Sequence, residues 1–293
     1  MTDPGLADPA AWSDHVFCLI APDCLRRHLS GAVLRRFRDI GLCVAGWRLL
    51  RVTSRHNDTI AAIQGAGAGS TYRYRAIDAL FDVGPALALR LRDESAQPSV
   101  ELYAQAQRLK GASHPQDCVP GSIRHDLGAI NAVMNLLHVS DSPVNSAGEA
   151  AVLLSGIDPP LFLPAERLPS AIPIVEAGRP VETRGFPAVL TAVRARVAAA
   201  LWDLLSDKGK VMAAELSGDG SLADPRAGEA LAAELAPAGA SHPLAAVLRI
   251  PFDPSGPLTD LRYAAGLLRL HGLGLDDWEY AVLATSLYFP PVR

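Results

Sequence analysis

The sequence predicts an α/β domain in its first half, with helices laid against an antiparallel sheet, and a mainly helical second half. Short apolar runs bounded by turn residues alternate with one-sided helical stripes up to about Leu154. Composition then shifts to a proline-rich stretch, Asp158-Pro159-Pro160 followed by Pro164, Pro169 and Pro173. Beyond it come longer segments with helical periodicity.

Residues Met1 to Ser13 mix Pro, Gly, Asp and Ala and are expected to form a loose arm. His15 to Ala21 is an apolar run ended by Pro22 and reads as a buried strand. Ser30 is placed to cap a helix whose Val33, Leu34, Phe37 and Ile40 form one stripe, and Gly41 is placed to stop it. Leu42 to Thr53 and Ala86 to Arg92 suit two further strands. Gly65 to Ser70 is low in complexity and reads as a turn; without a preceding strand or a following Gly-Lys-Ser/Thr it makes a poor phosphate cradle.

Residues 155–180 are expected to be an extended linker or a strap over the first domain. In the second half Pro187 to Leu205 makes a helix with Val189, Leu190, Val193, Val197, Leu201 and Leu204 near one face. Ala227 to Leu235, Leu258 to Leu270 and Asp276 to Leu287 also read as helical, and Ala245 to Pro251 as a strand. The division is therefore 14–154 and 155–293.

At 293 residues either half is long enough to bury its own core. Apolar residues make up 49% and the net charge is -4, a soluble globular balance that gives no electrostatic case for nucleic acid or a membrane surface. Cys18, Cys24, Cys43 and Cys118 lack paired metal-ligand spacing and read as free thiols of a reducing compartment. No apolar run suits a signal peptide or a membrane span, so a cytoplasmic location is expected. The histidines show no zinc-binding spacing, so no protein-built metal site is expected.

The chemistry concentrates at Asn135-Leu136-Leu137-His138-Val139-Ser140-Asp141-Ser142. Val133, Met134, Leu136 and Leu137 anchor this segment in the core, and Ser and Asp end it at a turn. His138 is then either a satisfied core histidine or a rigid imidazole facing a cleft, and a neutral imidazole is a competent nucleophile toward phosphorus.

Four segments taken together favour the second reading. Ile20-Ala21-Pro22-Asp23, Gly111-Ala112-Ser113-His114-Pro115, Pro120-Gly121-Ser122-Ile123-Arg124-His125-Asp126 and the His138 segment resemble, in order and near the expected spacing, the signature segments of nucleoside diphosphate kinases. The resemblance covers about Val16 to Leu154. It implies a ferredoxin-like antiparallel sheet with covering helices and a transfer of phosphate from ATP or another nucleoside triphosphate to a diphosphate through a phosphohistidine at His138. It also implies Mg2+ arriving with the nucleotide, nucleoside di- and triphosphates as partners, and a homo-oligomer.

By the same resemblance Glu149 is the carboxylate that orients the imidazole; otherwise it is an exposed helical glutamate following an Asn145/Ser146 cap. Ser140 matches the serine beside this pair, Asn135 the asparagine on the ribose, Arg124 an arginine on the phosphates, and Ser113 a threonine there. Asp23 matches a structural aspartate. The chain departs from the family in placing Ala21 where a lysine meets the transferring phosphate; a methyl group cannot stabilise that charge. Lys110, Arg26 and Arg27 are the candidate replacements. A second phosphate arginine falls on Gln107, with Arg108 adjacent, and the base-stacking aromatic falls among Tyr72 to Tyr74. A working kinase, a nucleotide-binding or assembly module without turnover, and a phosphotransferase for a specialised substrate all follow from these residues.

Overall fold

The computed structural model describes residues 6–63, 76–94, 101–158, 161–178, 180–252 and 259–288. They fall into two compact units, Met1–Glu182 and Thr183–Pro291. The Gly65 to Ser70 and Tyr72 to Tyr74 expectations lie outside the described residues.

The first unit opens with β1 (His15–Ile20), α1 (Pro22–Arg26), α2 (Ser30–Asp39), β2 (Leu42–Leu50), α3 (Ser54–Ile63), α4 (Ala76–Asp82) and β3 (Ala86–Asp93). It continues through α5 (Leu102–Lys110), α6 (Ile123–Asp126), β4 (Leu137–Val139), α7 (Pro143–Leu153), β5 (Leu163–Pro164) and α8 (Leu168–Ala177). The strands make one antiparallel sheet in the order β4-β1-β3-β2-β5, consistent with the ferredoxin-like arrangement.

The centre of the sheet explains the apolar run that marks β1. Val16, Cys18 and Ile20 pack with Phe37 of α2 and Leu102 of α5, while Phe17 and Leu19 pack with Ala147 and Ala150 of α7. A strand covered on both faces has no polar side to show. In the short β1–β4 pairing Leu19 stands opposite His138. Partners in such a pair share a face, so His138 rises on the α7 side of the sheet.

Several local expectations are corrected. Of the N-terminal arm, the described residues from Leu6 onward are anchored: Trp12 is fully buried, donates its indole N–H to Leu6 O at 2.9 Å, meets Phe17 edge-on and lies under the Arg90 guanidinium. Ser30 does not cap α2 with its side chain. It is the first helical residue, and its backbone N–H donates to Glu176 Oε1 at 3.2 Å, a carboxylate supplied by α8. Negative charge suits a helix N-terminus. Within the expected strand Ala245 to Pro251, Ala245–Arg249 is a helix, because a short apolar run carries no decisive period and neighbouring helices bury Ala245, Val247 and Leu248.

The proline-rich stretch also holds more structure than its composition suggests. Pro169 occupies the first turn of α8, where a missing N–H costs nothing. Burial of Leu168 and Ile172 against Cys24, Leu25, Val33 and Phe37 offsets the bond lost at Pro173 inside the helix. Just before it, β5 lies along β2, pairing Pro164 with Gly46 and Leu163 with Trp47. Gly46 is required there, since a Cβ would come within 2.8 Å of Phe162 Cβ. The Trp47 indole N–H donates to Pro164 O at 3.0 Å.

The second unit is helical: α9 (Phe186–Ala200), α10 (Asp207–Gly218), α11 (Pro225–Ala233), α12 (Pro237–Ala240), α13 (Ala245–Arg249), α14 (Thr259–Leu270) and α15 (Asp277–Tyr288). Val189, Leu190, Val193 and Val197 of α9 are buried, as the stripe predicts. Arg194 is buried among them and donates to Leu222 O, Asp224 O and Ile250 O, tying two connecting segments to α9. Among the described residues no helix is long and apolar enough to cross a membrane.

Candidate active site

The backbone leading into β4 is fixed before any side chain acts. Asn131 Oδ1 accepts from the N–H groups of Val133 and Met134 at 2.9 and 2.8 Å, closing a local turn. Leu136 then adopts φ 77°, and the Leu137 N–H donates to Asn135 O at 3.0 Å, which makes Leu136 the centre of a γ-turn. A non-glycine residue holds that conformation only when its neighbours over-determine it. Here the Leu136 N–H donates to Asp23 Oδ2 at 3.0 Å and its carbonyl accepts from the Ala21 N–H at 2.9 Å.

Asp23 is fully buried, and burial pushes its carboxyl up to about 6 despite the Leu136 N–H and the Arg27 charge. Its raised value means the folded protein holds a proton there that the unfolded chain gives up near 3.8. This contribution to stability is complete below about pH 4 and is lost as pH rises through about 6. Asp23→Asn cannot ionise. Relative to wild type, the variant's unfolding free energy in denaturant titrations is expected to rise by on the order of 2–3 kcal/mol between pH 4 and 7; a flat difference would contradict the assignment.

His138 emerges from this rigid segment with its side chain 43% exposed, so it is not a core histidine. Its Nε2–H donates to Glu149 Oε2 at 2.8 Å, and Ser140 Oγ donates to the same oxygen at 2.5 Å. A carboxylate only accepts, which places the imidazole proton on Nε2 and leaves the Nδ1 lone pair. Nδ1 has no hydrogen-bond partner among the described residues. Glu149 is 2% exposed, so the exposed-helix reading fails. Ser142 caps α7 by accepting from the Asn145 N–H at 3.1 Å, while Ser146 lies buried and accepts from the Phe17 N–H.

Arg124 and Asn135 lie behind the histidine segment and are buried. The Arg124 guanidinium donates to Asn135 O, Gly111 O, Ala112 O, Asn135 Oδ1 and Leu137 O, at 2.6 to 3.2 Å. Those five bonds match its five N–H donors. The Asn135 amide donates to Ala132 O at 2.7 Å and Ser113 O at 3.4 Å. Both residues therefore hold the loops together in this conformation. Gly111 makes the junction possible: its φ is 92° and a Cβ would meet Ser122 Oγ at 2.8 Å.

The other candidates separate. Ser113 is exposed on its loop, and Arg108 sits on the exposed side of α5, paired with Glu101 at 3.3 Å. Lys110 closes α5 and donates to Gln107 Oε1, and the Gln107 amide donates to Val139 O at 2.7 Å and Ser140 O at 3.0 Å. Gln107 thus ties α5 to the strand that carries His138. The sequence marks Gln107 only through the resemblance, as the position of a phosphate arginine, and not as this tie. Asn131 had no signal beyond its residue type. Among the described residues no group of three or more His, Cys, Asp or Glu side chains is arranged to hold a metal ion.

Fold and geometry together define an α/β protein that presents a carboxylate-anchored imidazole beside the edge strand of a ferredoxin-like sheet. A family model for nucleoside diphosphate kinase matches residues 14–157, and no family model matches the C-terminal region. The nucleoside diphosphate kinase of Moorella thermoacetica is 31% identical over 153 residues, covering 52% of this chain and 96% of that protein. Those of Treponema pallidum (strain Nichols) and Halalkalibacterium halodurans are 32% and 29% identical, covering 48% and 46% of this chain and 88% and 85% of theirs. The chain belongs to the nucleoside diphosphate kinase family, and these relatives support a kinase-like function for its first unit.

Proposed function

We propose that the first unit transfers the γ-phosphoryl group of a nucleoside triphosphate to a nucleoside diphosphate through His138. The observation that carries this reading is the Glu149–His138 hydrogen bond, which leaves Nδ1 as the nucleophilic nitrogen on a half-exposed ring. The Nδ1 lone pair forms a bond to phosphorus as the bond to the β-phosphate oxygen breaks and the diphosphate leaves. Glu149, still accepting from Nε2–H, stabilises the positive charge of the phosphorylated ring. A diphosphate oxygen of the second nucleotide then attacks, the phosphorus–nitrogen bond breaks, and the ring returns to its starting tautomer. Mg2+ enters on the nucleotide phosphates as part of the substrate.

Ser140 shares the Glu149 oxygen and holds the carboxylate in line. Asn135 and Ser113 are the proposed contacts to the nucleotide, and Arg124 the proposed positive field behind it; Arg108, on the exposed side of α5 and paired with Glu101, is the least engaged of the nucleotide-binding candidates. Homo-oligomer formation and a cytoplasmic location remain part of the proposal.

Incubation with γ-labelled ATP tests the reading. Acid-labile, alkali-stable label is expected on wild type and absent from His138→Ala, with discharge of the label to added diphosphates. Unlabelled wild type that still binds ATP would favour the second reading, a nucleotide-binding module, which Ala21 and the fully engaged Arg124 support. Label that discharges to no common diphosphate would favour a specialised acceptor.

A further inference from the structure

Phosphoryl transfer at His138 requires a donor aimed at the charge that develops on the phosphoryl oxygens. Ala21 offers none, and the five Arg124 N–H groups already serve protein acceptors. Arg27 donates to Gly128 O and Leu127 O, and Arg26 lines a separate cavity of about 150 Å³ with Pro22, Val83, Pro85 and Glu176. Arg108 is paired at the surface of α5.

Lys110 is different. Among the described residues its ammonium makes one hydrogen bond, to Gln107 Oε1. An ammonium has three donors, so two remain. The amide that holds it is fastened to the carbonyls of Val139 and Ser140, the two residues that follow His138. We propose that Lys110 supplies the cation that meets the transferring phosphoryl group in this chain, with Gln107 as its positioning residue. This rests on the His138 reading and deepens it.

The electrostatics around Lys110 support the assignment. Arg124 of α6 faces it with like charge, and Asp141 after β4, Glu149 of α7 and the Cys18 thiol of β1 face it from the other elements. Burial, followed by the Arg124 charge, lowers its value to about 8. Above that pH the free protein loses the ammonium, so the rate of phosphoenzyme formation at limiting ATP falls. A lysine serving only to end α5 would leave no such trace.

The test is single-turnover labelling of His138 by γ-labelled ATP across pH 6.5 to 9.5, with ATP and ADP affinities measured by calorimetry on the same full-length proteins. Wild type is expected to show a falling limb near pH 8. Lys110→Met is expected to label roughly 100- to 1000-fold more slowly and to lose the limb. Lys110→Arg, which stays protonated throughout, is expected to recover much of the rate and show no limb. Gln107→Ala moves the limb to lower pH, because the ammonium loses the carbonyl that favours its charged form.

Lys110→Met labelling at the wild-type rate at every pH would overturn the proposal while leaving His138 in place. If wild type takes no label, the His138 reading fails, and Lys110 is then judged on binding. A selective loss of ATP over ADP affinity in Lys110→Met keeps it as the phosphate cation, and unchanged affinities remove it.

Discussion

Arg124→Ala is expected to destabilise the first unit by roughly 3–5 kcal/mol, far more than the loss of a surface arginine. One guanidinium joins the Gly111–Ala112 turn, the Asn135 backbone and side chain, and Leu137 at the start of β4. Removing it leaves buried carbonyls without donors and a space that backbone cannot refill. Amide hydrogen exchange in β1 and β4 measures this within one unit, avoiding the ambiguity of a global melt in a chain with two. Exchange through global opening is expected to accelerate by roughly two to four orders of magnitude. Lys is the informative companion: it keeps the charge but lacks the fork, and is expected to recover only a minor part. Near-wild-type exchange in Arg124→Ala would show that the loops are held by other contacts.

Glu149→Gln carries the second large effect, this time on rate. The amide can either accept from Nε2–H or donate to Nε2, so the imidazole is no longer committed to the tautomer that leaves Nδ1 unprotonated. It also cannot neutralise the phosphorylated ring. Labelling of His138 is expected to slow by on the order of 100-fold or more, with ATP affinity little changed. Nitrogen chemical shifts of the imidazole give a readout independent of turnover: wild type is expected to carry its proton on Nε2, and the variant to populate both tautomers. A variant with the wild-type tautomer and rate would remove Glu149 from the chemistry.

Much of this was legible in the sequence because it depends on local pattern. β1 announces itself as an apolar run since both its faces are covered, and α2 shows its stripe since only one of its faces is. Glu149 and Ser140 are named beside His138 by the resemblance of the signature segments, not by local pattern. Burial of Glu149 was not legible, because α7 carries few polar residues of its own and its inner face is decided by β1. The engagement of Arg124 was equally hidden: it arises from oxygens on two segments that meet it only in the folded chain. Ser30 misled for the same reason, since the acceptor for its N–H lies at Glu176, far along the sequence. Ala245 to Pro251 misled because so short a run cannot distinguish a strand from a turn of helix.

The segment carrying β5 and α8 has a consequence for how such molecules can meet. The family model ends at residue 157, ahead of β5 and α8. Here the backbone polar groups along part of β2 are already satisfied from within, at Gly46 and Trp47, and the apolar flank of α1 and α2 is already dry. A neighbour arriving at that rim would find no ladder to continue and no grease to share, so any quaternary structure built there must first peel the molecule's own belt away.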